Sequence, residues 1–519
     1  MDRSHLLLGL CGGWLLLGIG AVHAAEAINL TSGVGAGAFM LSPEGGHIVF
    51  ESYNGTVGRL YSARTDGTGS PVPLSAATGG DAYLFNSKIS QDGSTLVYNR
   101  NEFPNGVWHV ATYSSPIEGG SPPVLLNISR VYDDDSSQYN LGLSPNGRYA
   151  AIRADQGDYS FDLLSRRTDG SGQAVMLNPW PHSEGNSIAY NWTTVGDRAF
   201  FQKQGGDEQG LYTRRIDGSG PAVLLSPNVG GISQFAVRDD GSKVLLAMVS
   251  GSRSYLYSSD TETGAATLLA STESPPFNSA YIASPQFAKD GHQAVFFYGL
   301  QLNTVPTDGS APAKVLGPNP DAETIRSAIS ADGTQIAFLN RENNDAQAAL
   351  YISPVDGSAP AKLLVPASSG NLNYVAIAPD GKHVVYLVDQ VSTQDLYSVP
   401  SDGSAAPVHL SNVGTFDFTP DGKWIIVGEN EDSDRDIESL YAVSLDGTER
   451  VLMAHPFETG GIRTWGTGWQ VSPDGSTLIF AADDGISQGG IFAVQIPEPA
   501  AVLWATGALA GLLLRRWRA

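Results

Sequence analysis

The chain has almost no cysteine. Its one thiol, Cys11, falls near the start of 519 residues, inside a segment that reads as a removable leader. The body is thereby excluded from disulfide and thiolate-metal chemistry. Charge is also scarce, at 16% of residues, and basic charge scarcer still: 30 Lys and Arg against 53 Asp and Glu leave a net charge of −23. Such a surface repels phosphate backbones and excludes nucleic acid as a partner. It suits solubility outside the cell, a cation, or a neutral or basic partner. There is no His-Glu-x-x-His, and the nine histidines are scattered, so each reads as a surface or strand residue. Gly485-Ile486-Ser487-Gln488-Gly489 fits the nucleophile-elbow pattern but lies between two strands, whereas an elbow needs a strand-to-helix turn.

What the chain does have is a repeat. Ten times, at intervals of 41 to 54 residues, a turn of the Ser-Pro-Asp-Gly type precedes an apolar run. The clearest copies are Ser472-Pro473-Asp474-Gly475 and Ala378-Pro379-Asp380-Gly381, and the turn glycines fall at Gly45, Gly93, Gly147, Gly196, Gly241, Gly291, Gly333, Gly381, Gly422 and Gly475. A fixed period of this size marks stacked or radial units. About two dozen residues after each turn comes a second one, Asp-Gly in its plain form, as at Asp66-Gly67, Asp169-Gly170, Asp217-Gly218, Asp308-Gly309, Asp356-Gly357, Asp402-Gly403 and Asp446-Gly447. Asp-Gly between alternating apolar runs is a hairpin signal, because tight turns need positive φ. Each unit therefore predicts four strands, and serial four-stranded units of this length predict the blades of an all-β propeller.

The last unit shows only three strands before Pro497, while residues 27–32 match the missing fourth-strand type seen at 407–411. An N-terminal strand completing the last blade would close the ring and remove two exposed edges. Ten copies predict one ring of ten blades. Two smaller rings also accommodate them, because the fourth copy, Val195-Gly196-Asp197, is degenerate.

Both ends of the chain read as addresses. Residues 1–24 have a basic start at Arg3, an apolar stretch and a small-residue exit ending at Ala24, the pattern of a cleaved secretory signal peptide. At the other end, Pro497-Glu498-Pro499 precedes an apolar run, 500–514, closed by Arg515, Arg516, Trp517 and Arg518. Fifteen helical residues span about 22 Å, short of a hydrocarbon core of about 30 Å, but flanking Trp and snorkelling Arg extend the reach. Terminal arginines orient such a helix with its end cytoplasmic. The two prolines leave an extended, protease-accessible segment, and the body is expected to be complete before it, with the tail contributing little to the fold.

Two resemblances follow from these residues. The recurring Ser-Pro-Asp-Gly, Leu-Tyr, Asp-Gly and Leu-Ser/Thr landmarks across 25–496 resemble the TolB-like β-propeller repeat family, whose members include peptide-binding scaffolds, peptidase lids and polysaccharide lyases. The three-part tail, 497–519, resembles the PEP-CTERM sorting signal. It implies an exosortase-type processing enzyme as partner, with Pro497, Glu498, Pro499, Arg515, Arg516 and Arg518 as recognition residues. Together they imply an exported, non-enzymatic scaffold that binds protein or polysaccharide. It would be anchored in the inner membrane before processing and then reside in the periplasm, outer envelope or extracellular matrix. The alternative is a secreted carbohydrate-active enzyme, a propeller-type lyase or glycosidase, which would need His, Arg and carboxylates converging at the channel mouth.

Topology adds a candidate surface. The two turn types share one face of the ring, so the longer connections share the opposite face, where Tyr132, Tyr139, Trp180, His182 and Trp465 stand among acids. Aromatics beside carboxylates suit sugar stacking or a basic peptide. Asp432, Asp434 and Asp436 alternate as Ca²⁺ ligands could, but Val443 stands where a closing bidentate Glu would be. No cofactor is expected otherwise.

Overall fold

A computed structural model describes residues 27–498 apart from short connecting segments, the longest being 131–140, 430–438 and 455–467. The described chain forms ten four-stranded antiparallel sheets and no α-helix. In nine of them the four strands follow one another in sequence. Blade 8 is typical: Asn371–Ile377, His383–Asp389, Gln394–Pro400 and Val408–Asn412, paired in that order. The tenth sheet takes Trp469–Val471, Thr477–Ala482 and Gly490–Gln495 from the end of the chain and Ile28–Asn29 from its beginning.

That borrowed strand closes the circle. Ile28 pairs with Ala493 and Asn29 with Phe492. The Leu30 amide then donates to the Ile491 carbonyl at 2.8 Å, and the Ile491 amide to the Thr31 hydroxyl at 3.1 Å. Leu30 is buried against Phe39, Phe50, Ile479 and Ile491, so one apolar cluster joins blade 10 to blade 1. Nine further clusters join the other neighbours, each spanning two adjacent blades. The protein is a single ten-bladed propeller.

The second strand of each blade explains why the runs after the Ser-Pro-Asp-Gly turns are continuously apolar rather than alternating. In His383–Asp389, Val384, Tyr386 and Val388 face blade 7, while Val385 and Leu387 face blade 9. Successive side chains point to opposite faces, and here both faces are interior. Each such Val or Leu, fully buried, stabilises the ring by roughly 1.5–3 kcal/mol relative to exposure. The fourth strands lie outermost and carry exposed apolar residues such as Leu224, Val315 and Val408. The first strands lie innermost, where those of neighbouring blades approach one another.

The degenerate fourth repeat keeps its blade by shortening the turn. Val195 pairs directly with Arg198, leaving Gly196 and Asp197 as a two-residue hairpin with Gly196 at φ 58°.

Candidate functional site

One face of the ring is made of turns that hold themselves and each other. In Ser472-Pro473-Asp474-Gly475, the Asp474 carboxylate accepts from the Ser472 hydroxyl and from the Ser476 amide at 3.0 Å and hydroxyl at 2.8 Å. The Ser472 hydroxyl oxygen in turn accepts from the Thr477 amide at 2.9 Å. Blades 2 and 7 repeat this around Asp92 and Asp332. Hydroxyl donation holds Asp332 and Asp474 below the ordinary carboxylate range, and Thr68 does the same for Asp66, which falls to about 2. The two turn types of a blade are tied together by a Thr or Ser hydroxyl donating to a turn-glycine carbonyl: Thr65 to Gly45, Thr168 to Gly147, Thr261 to Gly241, Thr307 to Gly291 and Ser401 to Gly381. Several turns also rest on a neighbour. A Cβ on Gly422, at φ 67°, would stand 2.5 Å from the Asp380 amide nitrogen, and one on Gly333 would stand 2.6 Å from that of Lys289. The Asp-Gly and Ser-Pro-Asp-Gly turns are architecture.

The inner wall differs in kind. Among the described residues of the ten first strands the only charged ones are Lys88, Glu323, Arg326 and Asp417, two of each sign. Asp417 reaches solvent, yet partial loss of hydration beside the wall pushes it above the usual carboxylate range. Between blades 4, 5 and 6 the wall opens into a groove of about 460 Å³. It is lined by Trp192 and Gln202 of blade 4, by Ile232, Ser233, Gln234 and Phe235 of blade 5, and by Ser284 and Pro285 of blade 6. None of these is charged.

Irregular backbone shapes the groove. The first strands of all three blades are bulged, between Ile188 and Trp192, between Ile232 and Gln234, and between Ala283 and Gln286. Bulges re-aim side chains and interrupt pairing. Ser284 adopts φ 49°, the one left-handed residue other than glycine among those described, and its amide donates to the Gln234 side-chain oxygen. Such a conformation costs about 1 kcal/mol or more and is kept where surroundings enforce it. The Ser233 hydroxyl donates to the Ala247 carbonyl at 3.0 Å. Trp192 is 7% exposed, and its buried indole N–H finds no protein acceptor.

The groove lies toward the face opposite the turns. Ile232 pairs with Met248 and Ile282 with Tyr298, both close to the hairpins that join second and third strands. In blades 5 and 6 these hairpins are only two residues long, Ser250 pairing with Arg253 and Tyr298 with Gln301. In the other blades the ladders stop further apart, as at Glu429 and Ser439. The hairpins of this face are therefore shortest in the two blades that flank the groove.

No family model matches the chain, and no curated protein matches it. Among solved structures it is similar to one described as the eukaryotic initiation factor, with 14% identity and a TM-score of 0.46 over 79% of this chain and 96% of that one. It is also similar to an oligogalacturonate lyase in complex with manganese (12%, TM-score 0.35, 92% of this chain and 99% of that one) and to TolB from Acinetobacter baumannii (15%, TM-score 0.27, 60% and 79%). Neighbours that range from a lyase to an initiation factor share a fold and carry no activity across.

Of the residues expected on the ligand face, Trp180 is not available. It is buried between blades 3 and 4, edge-on to Tyr212 at 4.8 Å between ring centroids and beneath the Lys203 ammonium at 5.0 Å. A large ring beside an interblade seam gains more from packing than from water. Tyr132, Tyr139, His182, Trp465, the alternating acids Asp432, Asp434 and Asp436, Ser487, Ala24, Pro499 and Arg515, Arg516 and Arg518 lie outside the described residues. Among the described residues no group of three or more His, Asp or Glu gathers as metal ligands would. The element that follows Ser487 is the strand Gly490–Gln495, where an elbow would be followed by a helix.

Pro497 and Glu498 are placed, and they do contact the body. Ile496 is buried, with its amide donating to the Ser476 carbonyl at 2.8 Å. The Trp424 indole donates to the Pro497 carbonyl at 3.0 Å, and the Lys423 ammonium lies 3.1 Å from the Glu498 carboxylate. The expectation that the body ends cleanly before Pro497 is corrected: the fold holds the chain through Glu498. The groove itself was missed, because Gln, Ser and Phe look like ordinary strand residues. Two signals pointed to it: the uncharged first strands in so acidic a chain, and Pro285 inside a strand, where proline marks a bulge or an edge.

Proposed function

We propose that the chain is an exported, non-enzymatic β-propeller that binds a protein or polysaccharide partner and is delivered to the cell envelope or extracellular matrix by its C-terminal segment. The observation that carries this reading is where the chain ends leave the ring. The third strand of blade 10 runs toward the turn face, and Pro497 and Glu498 settle against Lys423 and Trp424 of the blade 9 turn. Ile28, antiparallel to that strand, starts at the same face, beside Gly67. A tail held in a membrane would thus point the turns toward the bilayer and leave the opposite rim and the inner wall free for a partner. The sorting signal is read from Pro497, Glu498 and Pro499 with the apolar run and arginines that follow, and its reader would be an exosortase-type protease. The binding reading is further supported by the inner strands, whose four charged residues include no histidine and leave most of the wall neutral.

The test is the C-terminal mass and location of the mature protein in cells with and without the sorting protease. Processing that needs both the protease and the Pro-Glu-Pro triplet supports the reading. A chain with all three residues changed to alanine that is processed as the parent is would overturn it. Depolymerisation of a polysaccharide by the purified protein would replace the binder with the carbohydrate-active enzyme.

A further inference from the structure

We infer that the groove between blades 4, 5 and 6 is a subsite for a neutral oligosaccharide. The inference rests on reading the chain as a binder and names the chemical class its inner wall recognises. Three observations converge. First, the groove offers neutral hydrogen-bonding groups, the Gln202 and Gln234 amides and the Ser233 and Ser284 hydroxyls, beside Trp192 and Phe235. Amides and hydroxyls both donate and accept, which matches sugar hydroxyls that do the same; the half-buried Phe235 ring offers an apolar surface to the C–H faces of sugar rings, and the buried Trp192 forms the floor beneath. The volume of about 460 Å³ falls within the range of small-ligand sites.

Second, the wall excludes other classes. Its first strands lack the clustered basic residues that an acidic glycan would need, and the chain as a whole carries a net charge of −23, so uronate-rich polymers are repelled. An extended peptide would bind by adding a strand to the free inner edge, but that edge is blunted. The strands are bulged at Ser233 and at Ser284–Pro285, Pro285 has no amide proton, and the Ser284 amide is already taken by Gln234. Recognition is left to side chains. Third, the described hairpins of blades 5 and 6 beside the groove are only two residues long, so neither of these two connections reaches across it.

Binding to the full-length chain in detergent micelles tests this by calorimetry. The probes are neutral tetrasaccharides of glucose, galactose, mannose and N-acetylglucosamine, an oligogalacturonate tetrasaccharide, and a mixed-sequence octapeptide pool. The expected result is binding of at least one neutral tetrasaccharide, with affinity changing less than about two-fold between low and high salt, since no ion pair is screened. Gln234→Ala and Gln202→Ala should each weaken it by about five-fold, as loss of a hydrogen bond implies, while melting temperature stays near the parent's. If Gln234→Ala unfolds the ring, Gln202→Ala decides. Binding of no neutral sugar, binding only of the oligogalacturonate or the peptides, or undiminished affinity in a folded Gln variant overturns the inference. Loss of sugar binding in a chain that the tail still delivers would remove this subsite and leave the proposed delivery standing.

Discussion

The turn face and the inner wall use the same residue in opposite ways. In the turns, aspartate is stabilised as a carboxylate: Asp66, Asp332 and Asp474 accept from hydroxyls and from the amide two residues on, and each is held below the ordinary range. On the wall, Asp417 accepts from the Phe418 amide at 2.8 Å, yet the loss of hydration outweighs that bond and raises it. Acid recurs from blade to blade where it closes turns, whereas the described first strands hold two acids, Glu323 and Asp417. The net charge of −23 is thus not carried by the inner strands.

That contrast exists only in a closed ring, so the strongest way to break it is to open the circle. Deleting residues 27–32 should abolish cooperative unfolding and yield aggregates by size-exclusion chromatography, because two sheet edges are freed. Leu30→Ala, which keeps the strand but empties the blade 10–blade 1 seam, should cost about 2–5 kcal/mol in denaturant unfolding. If the deleted chain melts as the parent does, closure contributes nothing.

A smaller effect separates turns that lean on a neighbour from those that do not. Gly422→Ala should destabilise by about 2 kcal/mol or more, since its Cβ meets the Asp380 backbone as well as an unfavourable φ. Gly381→Ala has the same kind of φ, 68°, but nothing within 4 Å, and should cost about 1 kcal/mol. Equal losses would show that the turns are independent of one another.

The pH dependence sharpens the contrast directly. A carboxyl lowered on folding lends stability that is complete above its unfolded value and is lost as pH falls through its folded one. For Asp66 that window runs from the ordinary 3.8 down to about 2. A carboxyl raised on folding does the reverse: Asp417 detracts from stability above its folded value, and the penalty vanishes as pH falls below its ordinary one. Melting temperature should therefore drop steeply below about pH 4. Asp417→Asn should raise it by about 1 °C at pH 7 and leave it unchanged at pH 3. A uniform gain at both values would place the effect outside titration. The smallest change is expected from Lys423→Ala, which removes solvent-screened ion pairs to Asp421 and Glu498 and should leave the melting temperature close to the parent's.

Much of this fold was legible because its landmarks are local. A turn that needs positive φ at Gly475 and a hydroxyl at Ser472 writes both into four adjacent residues, and ten copies fix the blade count. Closure was legible too, since 28–31 carries the fourth-strand pattern that blade 10 lacks. The groove was not. Trp192, Gln234 and Ser284 come from three blades, and their meeting depends on bulges whose register no local pattern records. Trp180 misled for the converse reason: a tryptophan in a connection looks exposed until the neighbouring blade is known to cover it.

Closure by the first strand also sets a schedule. Thr31 and Ile491, bonded in the finished ring, are separated by 460 residues. At a synthesis rate of about 5–20 residues per second, the early strand waits roughly 20 to 90 seconds for its partner. Throughout that interval nine blades can assemble, but the last seam cannot, and pairings this distant are slow to form. A second growing chain offers the same unpaired edge. The waiting strand of one copy can complete the tenth blade of another, and such exchange would link rings into open chains instead of closing each one.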